Sequence, residues 1–121
     1  IMRVGTLAQP MSAGEFAARV KDVLGAPAVL CADAGKKVHR VAVVGGSGKS
    51  EVALAIASGA DTFLTGELKY SQYCDTDKLN LLVAGHYYTE RHICPRLCAL
   101  AVKVAPDVRA DTYHSCKVTI I

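Results

Sequence analysis

This sequence has no apolar run approaching the roughly 20 residues that a membrane-spanning helix needs, so no membrane partner is expected. It also has no basic stripe with interleaved aromatics. Aromatics make up 6% of the chain, tryptophan is missing, and the 14 Lys and Arg are scattered against 11 Asp and Glu for a net charge of only +3. That balance leaves nucleic-acid binding without an electrostatic footprint. No signal-peptide pattern is visible, because Ile1-Met2-Arg3 runs into Gly5 and Pro10 rather than into an apolar segment. There is no internal repeat and no low-complexity stretch. The cysteines (Cys31, Cys74, Cys94, Cys98 and Cys116) are odd in number and irregularly spaced, which does not fit a disulfide framework. The expectation is reduced, mostly buried thiols in a cytoplasmic protein. Cys94 and Cys98 can share a helix face near His92, but a structural zinc site more typically uses closely spaced cysteine pairs. The chain opens on Ile1 rather than Met, and a fragment of a longer protein is expected.

What is present is ordinary globular composition. Of 121 residues, 51% are apolar and 21% charged, enough for one small domain with a core over residues 1–121. Ser12-Ala13-Gly14-Glu15 reads as a capping box that starts a helix, with Phe16, Val20, Val23 and Leu24 on its apolar face and Gly25 at its end. Residues 28–32 read as a strand. Residues 38–44 read as a second, and the run Val41-Ala42-Val43-Val44 suggests burial on both faces. After a tight Gly-rich loop, residues 51–58 read as a helix closed by Gly59. Residues 62–65 read as a strand ended by Gly66, residues 68–79 as a helix, and residues 81–84 as a fourth strand. Residues 90–104 are the longest helix candidate, with Pro95 in its first turn. Residues 108–113 and 117–121 read as terminal strands. Strand and helix alternate from residue 38 to residue 104. That alternation predicts an α/β fold, a layered domain with a mixed, largely parallel sheet flanked by helices.

Two segments carry chemistry. The first is Ala84-Gly85-His86-Tyr87-Tyr88-Thr89-Glu90-Arg91. His86 and Glu90 stand four apart at a strand-to-helix junction, on one helix face, and an imidazole beside a carboxylate suits a divalent metal. The carboxyl end of a strand is also where open α/β sheets bind ligands. Taken alone, such a pair more often marks an ordinary solvated helix start. The second is Gly45-Gly46-Ser47-Gly48-Lys49-Ser50. A phosphate-binding P-loop needs Gly five residues before Gly48, where this chain has Val43, so the loop fails that pattern. Joining a strand to a helix, it can still favour an anion through free amides, or be a tight turn with no ligand.

Three motifs follow in order. They are Val41-Ala42-Val43-Val44-Gly45-Gly46-Ser47-Gly48, then Gly59-Ala60-Asp61-Thr62-Phe63-Leu64-Thr65-Gly66-Glu67-Leu68-Lys69-Tyr70, then the segment around His86. Together they resemble the carboxyl-terminal half of the Nif-three-like family, often named GTP cyclohydrolase I type 2 homologues. The opening Arg3-Val4-Gly5, with Pro10-Met11-Ser12 and Glu15-Phe16-Ala17, is similar as well. The resemblance implies one half of a two-domain α/β protein with a dinuclear metal centre in the cleft between the halves. His86 and Glu90 match the ligands of this half. The remaining ligands, a His pair and an Asp, belong to an amino-terminal half absent here. Zinc, iron and manganese are not distinguished. Family members tend to assemble into toroidal hexamers, so a homo-oligomer is expected. The chain departs from the pattern at Glu67 and Ser71, where Asp and His are frequent, and in its tail from Asp111 onward.

The implied activity is metal-dependent hydrolysis of a phosphorylated or nucleotide-like substrate, with Glu90 as catalytic and bridging carboxylate. Gly45, Gly46, Ser47, Gly48, Glu67, Lys69 and Tyr70 are the candidate substrate-binding residues. Lys69 suits an anion and Tyr70 a hydrogen bond or proton, while Glu67 and Lys69 also fit a plain exposed helix start. Two other readings stand beside it. One is a non-catalytic metal-binding regulatory or assembly scaffold. The other is a nucleotide-binding domain built on the Gly-rich loop. Thiol titration under denaturing, non-reducing conditions should count all five cysteines as free; a stable lower count would mean disulfides.

Overall fold

A computed structural model of the chain describes residues 1–74 and 77–121. In chain order the elements are β1 (Arg3–Met11), α1 (Ala13–Leu24), β2 (Leu30–Ala32), β3 (Val38–Ser47), α2 (Val52–Ala57), β4 (Thr62–Glu67), α3 (Tyr70–Cys74), β5 (Asn80–Val83), α4 (His86–Glu90) and α5 (Ile93–Val104). The strands form one sheet in the order β1-β3-β4-β5-β2. β3, β4 and β5 run parallel at the centre, while β1 and β2 lie antiparallel on the two edges. The sheet is therefore mixed, and parallel only at its centre. The largely parallel sheet expected from the alternation missed the edges, because β1 and β2 lie outside the repeating β-α unit.

The ends of α1 follow from local chemistry. Ser12 Oγ accepts from the Glu15 amide at 3.2 Å, and the Ser12 amide donates to Glu15 Oε2 at 2.8 Å, as the capping box requires. Gly25 closes the helix at φ 58, a left-handed conformation that glycine adopts without a side-chain clash. The inner face of α1 buries Ala13, Phe16 and Val20 against Val38, Val41, Leu64, Leu82 and Ala84. The opposite face of the sheet packs Ala42, Val44, Phe63 and Leu81 against Ala55, Ala60 and Leu79. Each central strand thus alternates its apolar residues between two cores, the expected pattern for a sheet covered on both sides. Val43 is the exception in its run, at 39% exposure.

Several expectations are corrected. β1 was not anticipated, since Gly5 and Pro10 are poor strand residues. It forms because it lies on an edge, where a proline's missing amide costs no ladder bond, and its register shifts between Thr6 and Met11. β2 is shorter than residues 28–32. Gly45, Gly46 and Ser47 are not a loop: β3 continues through them by a kink at Gly46, φ 67, where the register shifts against β4. The helix expected over 68–79 is reduced to Tyr70–Cys74, and Asp75 and Thr76 lie outside the described residues. The helix expected over 90–104 begins only at Ile93, as α5, and a separate short helix, α4, precedes it and ends on Glu90; Pro95 does sit in the first turn of α5, where no intrahelical donor is lost. Residues 108–113 and 117–121 are not strands. They find no neighbour in the sheet, and a strand without a ladder leaves its backbone groups to water. The cysteines are free, but they are not mostly buried: Cys31, Cys74 and Cys116 are exposed, and Cys94 and Cys98 are partly so.

Asn80 fastens the connection before β3 to the sheet. Its side chain is fully buried and accepts from the Ala34 amide at 3.0 Å. It donates to the Lys36 carbonyl at 2.9 Å and to Thr62 Oγ1 at 3.1 Å. Replacing it with Leu would leave the part-buried Ala34 amide and Lys36 carbonyl without their mate, while Thr62 Oγ1 keeps its bond to Asp61. Asn80→Leu should destabilise the fold by about 2–4 kcal/mol, taking roughly 1–2 kcal/mol for each of the two stranded groups, as read from chemical denaturation. A change under about 0.5 kcal/mol would mean that water replaces the amide there.

Candidate metal centre

The carboxyl ends of the parallel strands meet beneath α4. β4 ends on Glu67 and β5 on Val83, and the Ala84 amide donates to the Thr65 carbonyl at 3.0 Å. Gly85, at φ 87, then turns the chain so that His86 opens α4. His86 Nδ1 lies 2.8 Å from Glu67 Oε1, and His86 Nε2 lies 3.1 Å from Glu90 Oε2. The imidazole is held at both nitrogens by carboxylates, one from a strand end and one from its own helix. The hydrogen bond to Glu67 raises its pKa, burial opposes this, and the nearby charge of Glu90 raises it further.

The floor under this trio is glycine. A Cβ on Gly46 would collide with Glu90 Oε1 and lie 3.1 Å from His86 Nε2. A Cβ on Gly66 would sit 2.6 Å from the Gly46 carbonyl oxygen and 2.8 Å from His86 Cα. Thr89 fixes the docking. Its Oγ1 accepts from the Gly46 amide at 3.0 Å and donates to the His86 carbonyl, 2.9 Å away. Thr65 Oγ1 donates to the Gly46 carbonyl at 3.1 Å.

The arrangement sorts the sequence candidates. His86, Glu90, Glu67, Gly45 and Gly46 come together; an added Cβ on Gly45 would lie 3.3 Å from the Thr89 carbonyl oxygen. Ser47 pairs with Glu67 across the ladder, and the Gly48 amide donates to the Glu67 carbonyl at 3.3 Å. The amides of Gly46 and Gly48 are thus engaged within the protein, and α2 beyond them has six residues. These contacts hold the end of β3 against β4 and α4. Lys69 and Tyr70 are exposed and make no contact with His86 or Glu90 among those described. The Lys69 amide donates to Gln72 Oε1 at 3.0 Å, and Gln72 Nε2 donates to the Lys49 carbonyl at 2.7 Å. Tyr70 is 82% exposed. The sequence reading missed Thr89, Thr65 and the contact of Glu67 with His86. The signal for Glu67 was its place as the last residue of a parallel strand, beside the neighbouring strand that leads into His86.

Among the described residues, no group of three or more His, Cys, Asp and Glu is arranged to hold an ion by itself. The reason is geometric. Glu67 and Glu90 approach different nitrogens of one ring, so the two carboxylates do not converge with His86 on a single point. His86 Nε2 and Glu90 do face each other. An open groove of about 380 Å³ runs beside His86 and Glu67, walled by Tyr87, Tyr88 and the tail around Cys116 and Val118.

The chain belongs to the Duf34/NIF3 (NGG1p interacting factor 3) family, whose profile matches residues 1–117. It is 36% identical over 94 residues to a GTP cyclohydrolase 1 type 2 homolog of Pseudomonas aeruginosa, covering 76% of this chain and 37% of that protein. It is 42% identical over 88 residues to a Bacillus subtilis protein of the same name, covering 70% of this chain and 24% of that one. The fold superposes on the crystal structure of Staphylococcus aureus protein SA1388 with a TM-score of 0.86 at 28% identity, over 100% of this chain and 42% of the other. A Bacillus cereus protein related to NIF3 gives 0.80 at 27% identity, over 100% of this chain and 36% of that one. The chain spans from 22% to 38% of the length of eight curated relatives that it matches.

The raised pKa of His86 has a testable origin. Proton-linked ring resonances should titrate above the ordinary histidine value of about 6.5. Glu67→Gln should bring the midpoint down, and more so than Glu90→Gln. The folded chain holds this proton more tightly than the unfolded chain does. The contact therefore favours folding below the ordinary histidine pKa, and the gain is lost as pH rises through the raised value. An unchanged midpoint in Glu67→Gln would contradict the assignment.

Proposed function

We propose that this chain supplies His86 and Glu90 to a dinuclear divalent-metal centre of a hydrolase-like protein, the remaining ligands coming from residues outside the chain. The observation that carries this reading is the facing pair of His86 Nε2 and Glu90 Oε2, 3.1 Å apart over a glycine floor that a Cβ would fill. The donor set fits a borderline divalent ion: one imidazole nitrogen and one carboxylate, both on the surface of the fold. Two ions, when bound, would acidify a water and offset the charge that develops on the reacting group.

The chain's own residues have separate tasks in this reading. Glu67 accepts from His86 Nδ1, which fixes the ring and leaves Nε2 free as ligand, the arrangement that supports many metal-binding histidines. Glu67 is then an orienting residue rather than a substrate contact. Metal binding requires a neutral ring, so the proton shared with the carboxylates must leave as the ion enters. Glu90 would serve as the catalytic carboxylate, and its side chain, 54% exposed, could help hold the ions. Gly46 keeps the floor open. Gly45, Ser47 and Gly48 hold that floor in the sheet, and Lys69 and Tyr70, exposed beyond Glu67, would meet an anionic substrate only at the rim. The curated relatives are named for a GTP-related activity, which supports a phosphorylated or nucleotide-like substrate. An assembly role is the second reading. It draws on α5, which buries no side chain and exposes Ile93, Leu97, Leu100 and Val104.

Metal content after dialysis, with thermal melts, tests the split site. This chain alone should bind zinc or manganese weakly, with one ion at most. A longer protein carrying the additional segment of the relatives should retain two, and the added stability should follow RT ln(1 + [L]/Kd). His86→Ala in the longer protein should abolish retention and turnover. Loss of assembly alone, with metal and turnover intact, would favour the scaffold. Two tightly held ions in this chain alone would refute the shared site.

A further inference from the structure

We infer that Arg91 is a positioning residue, whose guanidinium ties the helix bearing His86 and Glu90 to the carboxyl end of α1 and so holds both side chains over Gly46. The inference rests on the metal reading for what His86 and Glu90 do, but not for how α4 is held.

The need for a tie comes from α4 itself. It has five residues, far fewer than a helix needs to persist by its own hydrogen bonds. Gly85 precedes it and offers no capping side chain. The His86 and Glu90 side chains are 46% and 54% exposed, so their own packing does not fix the direction in which they point. Glu67 orients the ring of His86, and two contacts hold the short helix that carries both side chains. Thr89, the fourth of its five residues, receives the Gly46 amide. Just past its end, Arg91 Nη2 donates to the carbonyl of Leu24 at 2.6 Å, across 67 positions of chain.

Leu24 is the last residue of α1, where carbonyls lack intrahelical donors and the helix presents its negative end. A cation there is favoured twice, by hydrogen bond and by field. The guanidinium is steered by two rings of its own helix. Its carbon lies 5.6 Å from the Tyr87 ring centroid and 5.3 Å from that of Tyr88. Those rings meet edge to face, with centroids 5.2 Å apart. Gly25 gives the guanidinium room: a Cβ at that left-handed position would stand 2.7 Å from Arg91 Nη2, and the arginine tip would have to shift. The same glycine therefore ends α1 and admits the arginine. Lysine would keep the charge but lose the planar fork and the ring contacts. Because Glu90 immediately precedes Arg91, releasing the guanidinium frees the turn that carries the carboxylate.

The test uses the 121-residue protein, with amide hydrogen exchange and zinc titration on wild type, Arg91→Ala, Arg91→Lys and His86→Ala. A hydrogen bond from a charged donor is worth enough that Arg91→Ala should speed exchange at the Gly46 and Thr89 amides about tenfold, with β4 core amides unchanged. Zinc affinity should fall by a similar factor, with Arg91→Lys between the two. Unchanged exchange at Gly46 and Thr89 in Arg91→Ala would overturn the inference. So would faster exchange with zinc affinity unaltered, because Arg91 would then be a clamp without influence on the ligands. If His86→Ala binds zinc as wild type does, the metal reading fails; the exchange result alone then decides whether Arg91 holds α4.

Discussion

The site depends on one steric constraint, the approach of backbone to backbone where β3 and β4 end. Gly46 and Gly66 let the two strand ends, the first turn of α4 and the His86 ring occupy a volume that a single methyl group would fill. Once that approach is made, much else follows. The Gly46 amide reaches Thr89, the Gly46 carbonyl receives Thr65, and Glu67 is delivered to one side of the imidazole as Glu90 arrives on the other. The glycines are not there for flexibility. They remove atoms from a place where polar groups must meet.

That constraint explains which parts of the architecture were legible in the sequence. The β3-α2-β4 unit and β5 could be read because apolar runs alternate with helical spacing, and the capping box and Gly25 marked α1 to the residue. The His86–Glu90 pair could be read because its spacing is local to one helix. Glu67 against His86 could not be placed from spacing, since the contact is created by two neighbouring parallel strands. The kink through Gly46 was mistaken for a loop because glycines punctuate both loops and strand ends. β1 was invisible for a related reason: its pairing with β3 compensates for residues with little strand preference of their own. The tail shows the converse, strand-like residues without a partner.

The electrostatics fit a surface that awaits further contacts. Two carboxylates around one imidazole share a single positive charge at most, so the cluster carries excess negative charge when the ring is protonated and more when it is not. Exposure keeps this tolerable, since water screens groups that are about half accessible. Arg91, one residue beyond Glu90, does not offset this charge, because its guanidinium is committed to Leu24 and the two tyrosines.

The absence of any buried side chain in α5 bears on how the molecule comes apart. Helices contribute to a cooperative unit through the apolar surface they share with it, and α5 shares little. Its twelve residues and the tail beyond them can open as a separate, low-energy step while both cores and the sheet stay closed. A single unfolding midpoint would then report on the sheet and α1, and would be blind to the carboxyl-terminal segment from Ile93 onward. That segment would be where proteases first find the chain, at Arg96 or Lys103, unless something else covers it.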